Sequence, residues 1–267
     1  MDKIISPMTS VNDYNHLADI RESYLKLIED ALTGVIYEDS PLAIDETTSL
    51  VYEAKIREHG WDWPSKAFTM VGTKRLINFR HLIENVIACR VPGDIVETGV
   101  WRGGACILAR AVLKTYHVLD RKVILCDSFC GLPVPDAIKY PEDSSSNFHE
   151  YSELAVSLEQ VKENFRRFSL LDDQVVFVEG LFRDTMPRLN LDTISVLRLD
   201  GDMYESTIDP LHYLYDRISV GGWIIIDDYE VVPACKAAVH AFFAERALEP
   251  ELIPIDGVGR YFRKEAL

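Results

Sequence analysis

Long apolar runs are missing from this 267-residue chain: the longest are of strand length, such as ISVL at 194–197 and WIII at 223–226. A bilayer-spanning helix needs about 20 consecutive apolar residues, so no membrane partner is expected. A charged-then-apolar leader is also missing, and the expectation is a cytoplasmic protein. The five cysteines (89, 106, 126, 130 and 235) contain no Cys-x-x-Cys pair, and their odd number argues against a full disulfide framework. Reduced thiols are expected. Basic residues are scarce, with 28 Lys and Arg against 43 Asp and Glu, giving a net charge of −15. That balance argues against nonspecific binding to nucleic acid or an anionic membrane surface, both polyanions. A neutral or cationic small ligand suits it better, although acidity also serves solubility. Internal repeats, low-complexity tracts and any composition shift that would mark a hinge are lacking, so one domain is the expectation.

What is present has ordinary globular proportions, 48% apolar and 27% charged. After a tail of roughly a dozen residues, Leu17, Ile20, Tyr24, Ile28, Leu32 and Val35 recur at helical spacing. A second helix is predicted from near Asp45 to before Gly60, followed by the aromatic turn WDWP at 61–64. A third, 73–89, carries Leu76, Phe79, Leu82, Ile83 and Val86 on one face. From Asp94 the pattern changes to strands DIVET, KVILCD, QVVFVE, ISVLRLD and WIIIDD alternating with helices at 104–116, 153–169, 205–218 and 233–247. This alternation predicts an α/β fold, a doubly wound, mostly parallel sheet covered on both faces. ELIPI, DGVG and RYFRK close the chain as an antiparallel hairpin, whereas a simple dinucleotide-binding fold would continue with parallel units. Residues 131–150 form the longest apparent loop, and long ordered loops are often functional.

Three constellations carry chemistry. VETGVWRGGA at 96–105 passes from a strand end through Glu97, Thr98, Gly99 and Gly103 into a helix. Glycines there let the backbone approach a ligand, in the crevice where open α/β sheets bind. Its Glu-x-Gly-x-x-x-Gly spacing is not the Gly-x-Gly-x-x-Gly of nicotinamide proteins, and the Glu97 carboxylate suits a positively charged amino group. Asp127, ending the next strand, can accept both hydroxyls of a ribose; capping the following turn is the alternative. EGLFRDT at 179–185 sets Gly180 beside Phe182, which suits an adenine edge or simply a buried turn. Finally, LRLDGD and IIIDDY end adjacent predicted strands with Asp200, Asp202, Asp227 and Asp228. Converging carboxylates repel unless protonated or bound to a cation, and oxygen-only ligation favours Mg²⁺ or another hard divalent ion. Asp202 can equally cap a helix. His149, in NFHEY, can take a proton near neutral pH, or be plain surface.

Together these segments resemble the macrocin-type sugar O-methyltransferase family of macrolide and aminocoumarin antibiotic pathways. The likeness covers roughly residues 20–265 and rests on YLKLIEDALTG, TMVGTKRL, PGDIVETGVWRGGA, CDSFCGLP, NFHEY, LLDDQVVFVEGLFRDTMP, LRLDGDMY and GGWIIIDDY. It implies a seven-stranded class I methyltransferase sheet with an N-terminal helical extension: residues 1–90 as an arm or lid of the same domain, 91–267 as the methyltransferase body. S-adenosylmethionine would be the donor, Mg²⁺ the cofactor, and a hydroxyl of a small molecule, a sugar or glycoside, the acceptor. Carried over, Asp200, Asp227 and Asp228 hold the metal, with His149 the general base and Asp200 also at the reacting centre. Glu97, Thr98, Gly99, Gly103, Asp127, Ser128, Gly180 and Phe182 form the donor site, closed by Thr69 and Met70. A metal-dependent methyltransferase of catechols or phenols and a noncatalytic cofactor-binding scaffold are the alternatives. The amphipathic N-terminal helices suit a homo-oligomer.

Overall fold

Short runs of Val, Ile and Leu, each ending on a polar residue, assemble the sheet. The computed structural model describes residues 11–266; the tail at 1–10 lies outside the described residues. Strands β1 (Asp94–Thr98), β2 (Val123–Asp127), β3 (Val175–Glu179), β4 (Ile194–Leu199) and β5 (Ile218–Ile226) run parallel. β6 (Ile253–Pro254) and β7 (Arg260–Arg263) complete the sheet in the order β3-β2-β1-β4-β5-β7-β6. β7 pairs antiparallel with β5 on one side and β6 on the other, the late reversal expected of the closing hairpin. Strand order reverses between β1 and β4, and at such a switch point a crevice opens beyond the carboxyl ends of the strands.

Side chains of period two serve two cores. Ile95, Leu125, Val196 and Ile225 point to one face, against α1 (Val11–Thr33), α3 (Gly72–Ala88), α4 (Gly104–Thr115) and α5 (Leu158–Arg167). Val96, Ile124, Leu197, Ile224 and Ile226 point to the other, against α7 (Tyr204–Leu214) and α8 (Pro233–Arg246). Each buried aliphatic side chain contributes roughly 1.5–3 kcal/mol. All five residues of the predicted α3 face are buried.

Three expectations change. The second helix is only α2 (Ala54–His59): Asp45 Oδ1 accepts from Thr47 N at 2.8 Å and from the hydroxyls of Thr47 and Thr48, so a side-chain-bonded turn replaces the predicted first helical turns. On α1 the core takes Leu25, Ile28 and Leu32, whereas Leu17 and Ile20 of the predicted face are exposed. α5 starts later than the predicted 153, at the cap where Ser157 Oγ accepts from Gln160 N, and the preceding long loop carries short turns at Pro141–Asp143, Phe148–Glu150 and Ser152–Leu154. A further short helix, α6 (Phe182–Thr185), follows β3. Among the described residues no helix is long and apolar enough to cross a membrane.

Candidate active site

The ladder continues one residue beyond the strands. Asp200 N donates to Thr98 O at 2.9 Å, and Asp227 N donates to Leu199 O at 2.9 Å, so the two carboxylates emerge side by side at the switch point. Gly99 lies against this ladder: a Cβ on it would stand 1.8 Å from Asp200 O, and its φ is +86°. The glycine is required by the approach of two strand ends, where the sequence suggested approach to a ligand. Next to it, Asp127 Oδ2 accepts from Val100 N and Oδ1 from Phe129 N, each at 2.7 Å, tying the ends of β1 and β2.

Charge at the floor is crowded and unequal. Glu97 and Arg198 are register partners on β1 and β4, both buried and joined as an ion pair. Arg198 also donates to Asp200 Oδ2 at 2.6 Å and to Asp227 Oδ1; Arg75, from α3, pairs with Asp227 Oδ2 and lies 3.3 Å from Asp256. Six carboxylates (97, 200, 202, 227, 228 and 256) thus share two guanidiniums. Burial, with repulsion from Asp227, Asp202 and Glu97 opposing the pull of Arg198, pushes the Asp200 carboxyl up to about 8. Burial and Asp227 push Asp202 up to about 6, and burial with Asp202 and Asp200 raises Asp228 well above the usual range. Such a site binds protons or a cation. One carboxylate oxygen from each of Asp200, Asp227 and Asp228 falls within 4.8 Å of the others, the one such trio among the described residues. The all-oxygen donor set and the surplus of acid fit a hard divalent ion.

Above this floor is a cleft of about 400 Å³. Its roof comes from the N-terminal segment, with Trp61, Trp63 and Met70, and from the long loop, with Leu132, Phe148 and Leu154. The two parts of the roof meet where Trp63 packs edge-on against Tyr151, ring centroids 5.3 Å apart. Trp101, in the turn after β1, donates from Nε1 to Glu153 O at 2.8 Å. The N-terminal segment also lies on the start of α4: Gly104 N donates to Phe68 O at 2.9 Å, and a Cβ on Gly104 would come within 2.5 Å of that oxygen.

Of the residues singled out in the sequence, Met70, Gly99, Asp127, Ser128, Gly180, Phe182, Asp200, Asp202, Asp227 and Asp228 line this cleft. Thr69, Glu97, Thr98, Gly103 and His149 stand outside its wall. Glu97 lies beneath the floor, one oxygen taken by Arg198 and the other by the Cys106 thiol at 2.8 Å, and burial raises its carboxyl despite Arg198. Thr69 Oγ1 accepts from Val71 N, Thr98 is fully buried, and Gly103 caps α4 where a Cβ would meet Val161. His149 follows Phe148 on the loop, its Nδ1 buried without a hydrogen-bond partner. Arg198 and Arg75 were missed. A lone arginine inside the apolar strand ISVLRL needs buried acids beside it, and Glu97 and Asp227 were already in view; Arg75 has no comparable signal in its helix.

The family model described as Macrocin-O-methyltransferase (TylF) matches residues 21–264. Demethyldecarbamoylnovobiocin O-methyltransferase of Streptomyces niveus is 48% identical over 245 residues, covering 90% of this chain and 93% of that protein. Mycinamicin III 3''-O-methyltransferase of Micromonospora griseorubida is 45% identical over 248 residues, covering 92% and 97%. The solved structure of the O-methyltransferase NovP superimposes with a TM-score of 0.89 at 46% identity, covering 92% of this chain and all (100%) of that one.

Proposed function

The chain belongs to the macrocin O-methyltransferase family, and from that premise we propose that it moves the methyl group of S-adenosylmethionine to a sugar hydroxyl of a glycoside with the help of Mg²⁺. The observation that carries the metal is the trio Asp200, Asp227 and Asp228, converging within 4.8 Å on the cleft floor. The relatives named for glycosidic antibiotics support the acceptor class.

S-adenosylmethionine brings an electrophilic methyl group on a cationic sulfur. In this reading Gly99 and Met70 bound its methionyl portion, Asp127 and Ser128 face the ribose, and Gly180 and Phe182 face the adenine. Thr69, Thr98 and Gly103 act from behind, holding the turns, and Glu97 acts through Arg198, which orients Asp200 and Asp227. Asp200, Asp227 and Asp228 would hold Mg²⁺, which supplies Lewis acidity and a template for neighbouring hydroxyls. The acceptor oxygen bonds to the methyl carbon as the carbon–sulfur bond breaks, and the hydroxyl proton leaves to a protein base. Asp200 is one candidate, supported by its Oδ1, which has no hydrogen bond among the described residues while Arg198 holds Oδ2. His149 is the second candidate, supported by its unpartnered Nδ1. We read residues 1–90 as an arm of the same domain as 91–267, because α1 and α3 share the core of the sheet and the 61–70 segment roofs the cleft.

Asp227→Asn together with Asp228→Asn, assayed with demethyldecarbamoylnovobiocin and Mg²⁺, should cost at least about a hundredfold in turnover, roughly 3 kcal/mol. Undiminished turnover, or wild-type activity indifferent to a chelator, would remove the metal. For the base, His149→Ala should leave turnover unchanged across pH 6–9 if Asp200 serves, and depress it if His149 does.

A further inference from the structure

Helix α7 begins directly after the Asp200–Met203 turn, and its own N-cap residue, Met203, offers no capping side chain. The cap comes from 60 residues upstream: Asp143, 1% exposed, accepts from Tyr204 N through Oδ1 at 2.7 Å and from Glu205 N through Oδ2 at 3.0 Å. Both oxygens of one buried carboxylate thus meet the first free amides of the helix, where the peptide dipoles also favour negative charge. Asp143 itself does not line the cleft.

Residues further along the same loop do. The long loop is tied at its start where Ser128 Oγ donates to Gly131 O at 2.6 Å, and at its end by Trp101 on Glu153 and Trp63 on Tyr151. Between these ends the ties lie at Tyr140, stacked at a tilt on Tyr204 with centroids 5.6 Å apart, and at Asp143. Phe148, His149 and Leu154 follow within a dozen residues, and Phe148 and Leu154 are cleft wall. The donor side of the cleft, at the ends of β1 and β2, is held by Asp127 and the backbone ladder instead.

We propose that Asp143 is a positioning residue for the acceptor: by capping α7 it sets the 141–154 loop over the carboxylate turn, and so fixes where the acceptor hydroxyl lies relative to Asp200. This rests on the acceptor reading above, since the loop is taken to face the acceptor and not the donor. Loss of a buried, charged cap corresponds to a five- to twentyfold effect, in order of magnitude.

The test measures Asp143→Ala and Asp143→Asn in the full chain with demethyldecarbamoylnovobiocin and mycinamicin III as acceptors. For Ala, acceptor KM should rise about tenfold, S-adenosylmethionine affinity by calorimetry should stay within about twofold, and amide exchange should quicken at 141–150. Asn keeps one of the two acceptors and turns its NH2 toward the other amide, so it should recover only part of the acceptor KM. A lower melting temperature with acceptor KM unchanged, or acceptor KM and donor affinity worsening together, overturns the proposal. If Ala does not fold, Asn carries the test, and wild-type acceptor KM with faster loop exchange overturns it. A wild-type enzyme that methylates neither glycoside defeats the acceptor reading instead, and the exchange data still report whether Asp143 holds the loop.

Discussion

At the floor of the cleft, Asp200 and Asp227 are placed by backbone bonds to the neighbouring strands, and Arg198 ties them to Glu97 in the same register. In the roof the described residues form no continuous ladder: isolated backbone bonds, such as Leu42 N to Trp63 O and Phe68 N to Leu32 O, are supplemented by side chains reaching distant backbone. Arg57, fully buried, donates to Thr33 O and Asp39 O at 2.7 Å each and pairs with Asp62. Asp39 in turn accepts from Ser65 Oγ, Lys66 N and Ala67 N at 2.7–2.8 Å. Arg102 donates to Pro64 O and Ala67 O. The floor therefore shares the cooperativity of the sheet, while the roof is a set of local ties that can fail one at a time.

The strongest way to break this comparison is Arg198→Met. It strands Glu97 in the core and takes a partner from Asp227, and should cost about 3–5 kcal/mol as one cooperative urea transition. A loss below about 1 kcal/mol would show that the floor does not depend on this cation. Gly99→Ala should follow at roughly 2–4 kcal/mol, through its positive φ and the collision with Asp200 O; a variant as stable and active as wild type would mean that the strand ends part easily. Arg57→Ala should cost about 2 kcal/mol, felt locally: amide exchange quickens across 33–67 while β1 and β4 keep their protection. Uniform loss of protection would erase the distinction between roof and floor.

The smallest effect concerns Glu29, on α1, 1% exposed and 3.2 Å from Arg80. Burial outweighs the attraction of Arg80 and Lys26 and pushes its carboxyl up to about 7. Because the folded pKa is the higher one, the stability it contributes is full below the unfolded value near 4.5 and is lost as pH rises through about 7. Glu29→Gln should remove that slope and stabilise the protein at pH 8 by about 1–2 kcal/mol, discounted for the lost ion pair. Parallel melting curves for the two proteins from pH 4 to 8 would show that Glu29 ionises freely.

The same division explains what could be read from the sequence. β1 to β5 were legible because parallel strands buried on both faces must be continuously apolar, and the acids that end them stand out against that background. Asp127 was legible as a strand end, while its bonds to Val100 N and Phe129 N depend on how the turns fold. The roof was largely illegible: the turn at Asp45 competes with a helix through side-chain bonds, and the backbone partners of Arg57, Arg102 and Asp143 lie 18 to 62 residues away. Periodicity reports burial, and these ties join polar groups with no period. His149 was visible as a residue, but the sequence has no period from which the course of its loop could be read.

The contact of Phe68 O with Gly104 N has a consequence for ligand selection. In dinucleotide-binding folds the helix after the first strand turns its free amides toward a pyrophosphate. Here one of those amides is already taken by the protein's own carbonyl oxygen, Phe68 O, which points at the start of α4. That donor is filled, and the segment that delivers the oxygen packs directly on Gly104. A phosphate seeking the first amide of α4 would have to displace Phe68 O, a bond that a nucleoside without phosphate leaves in place.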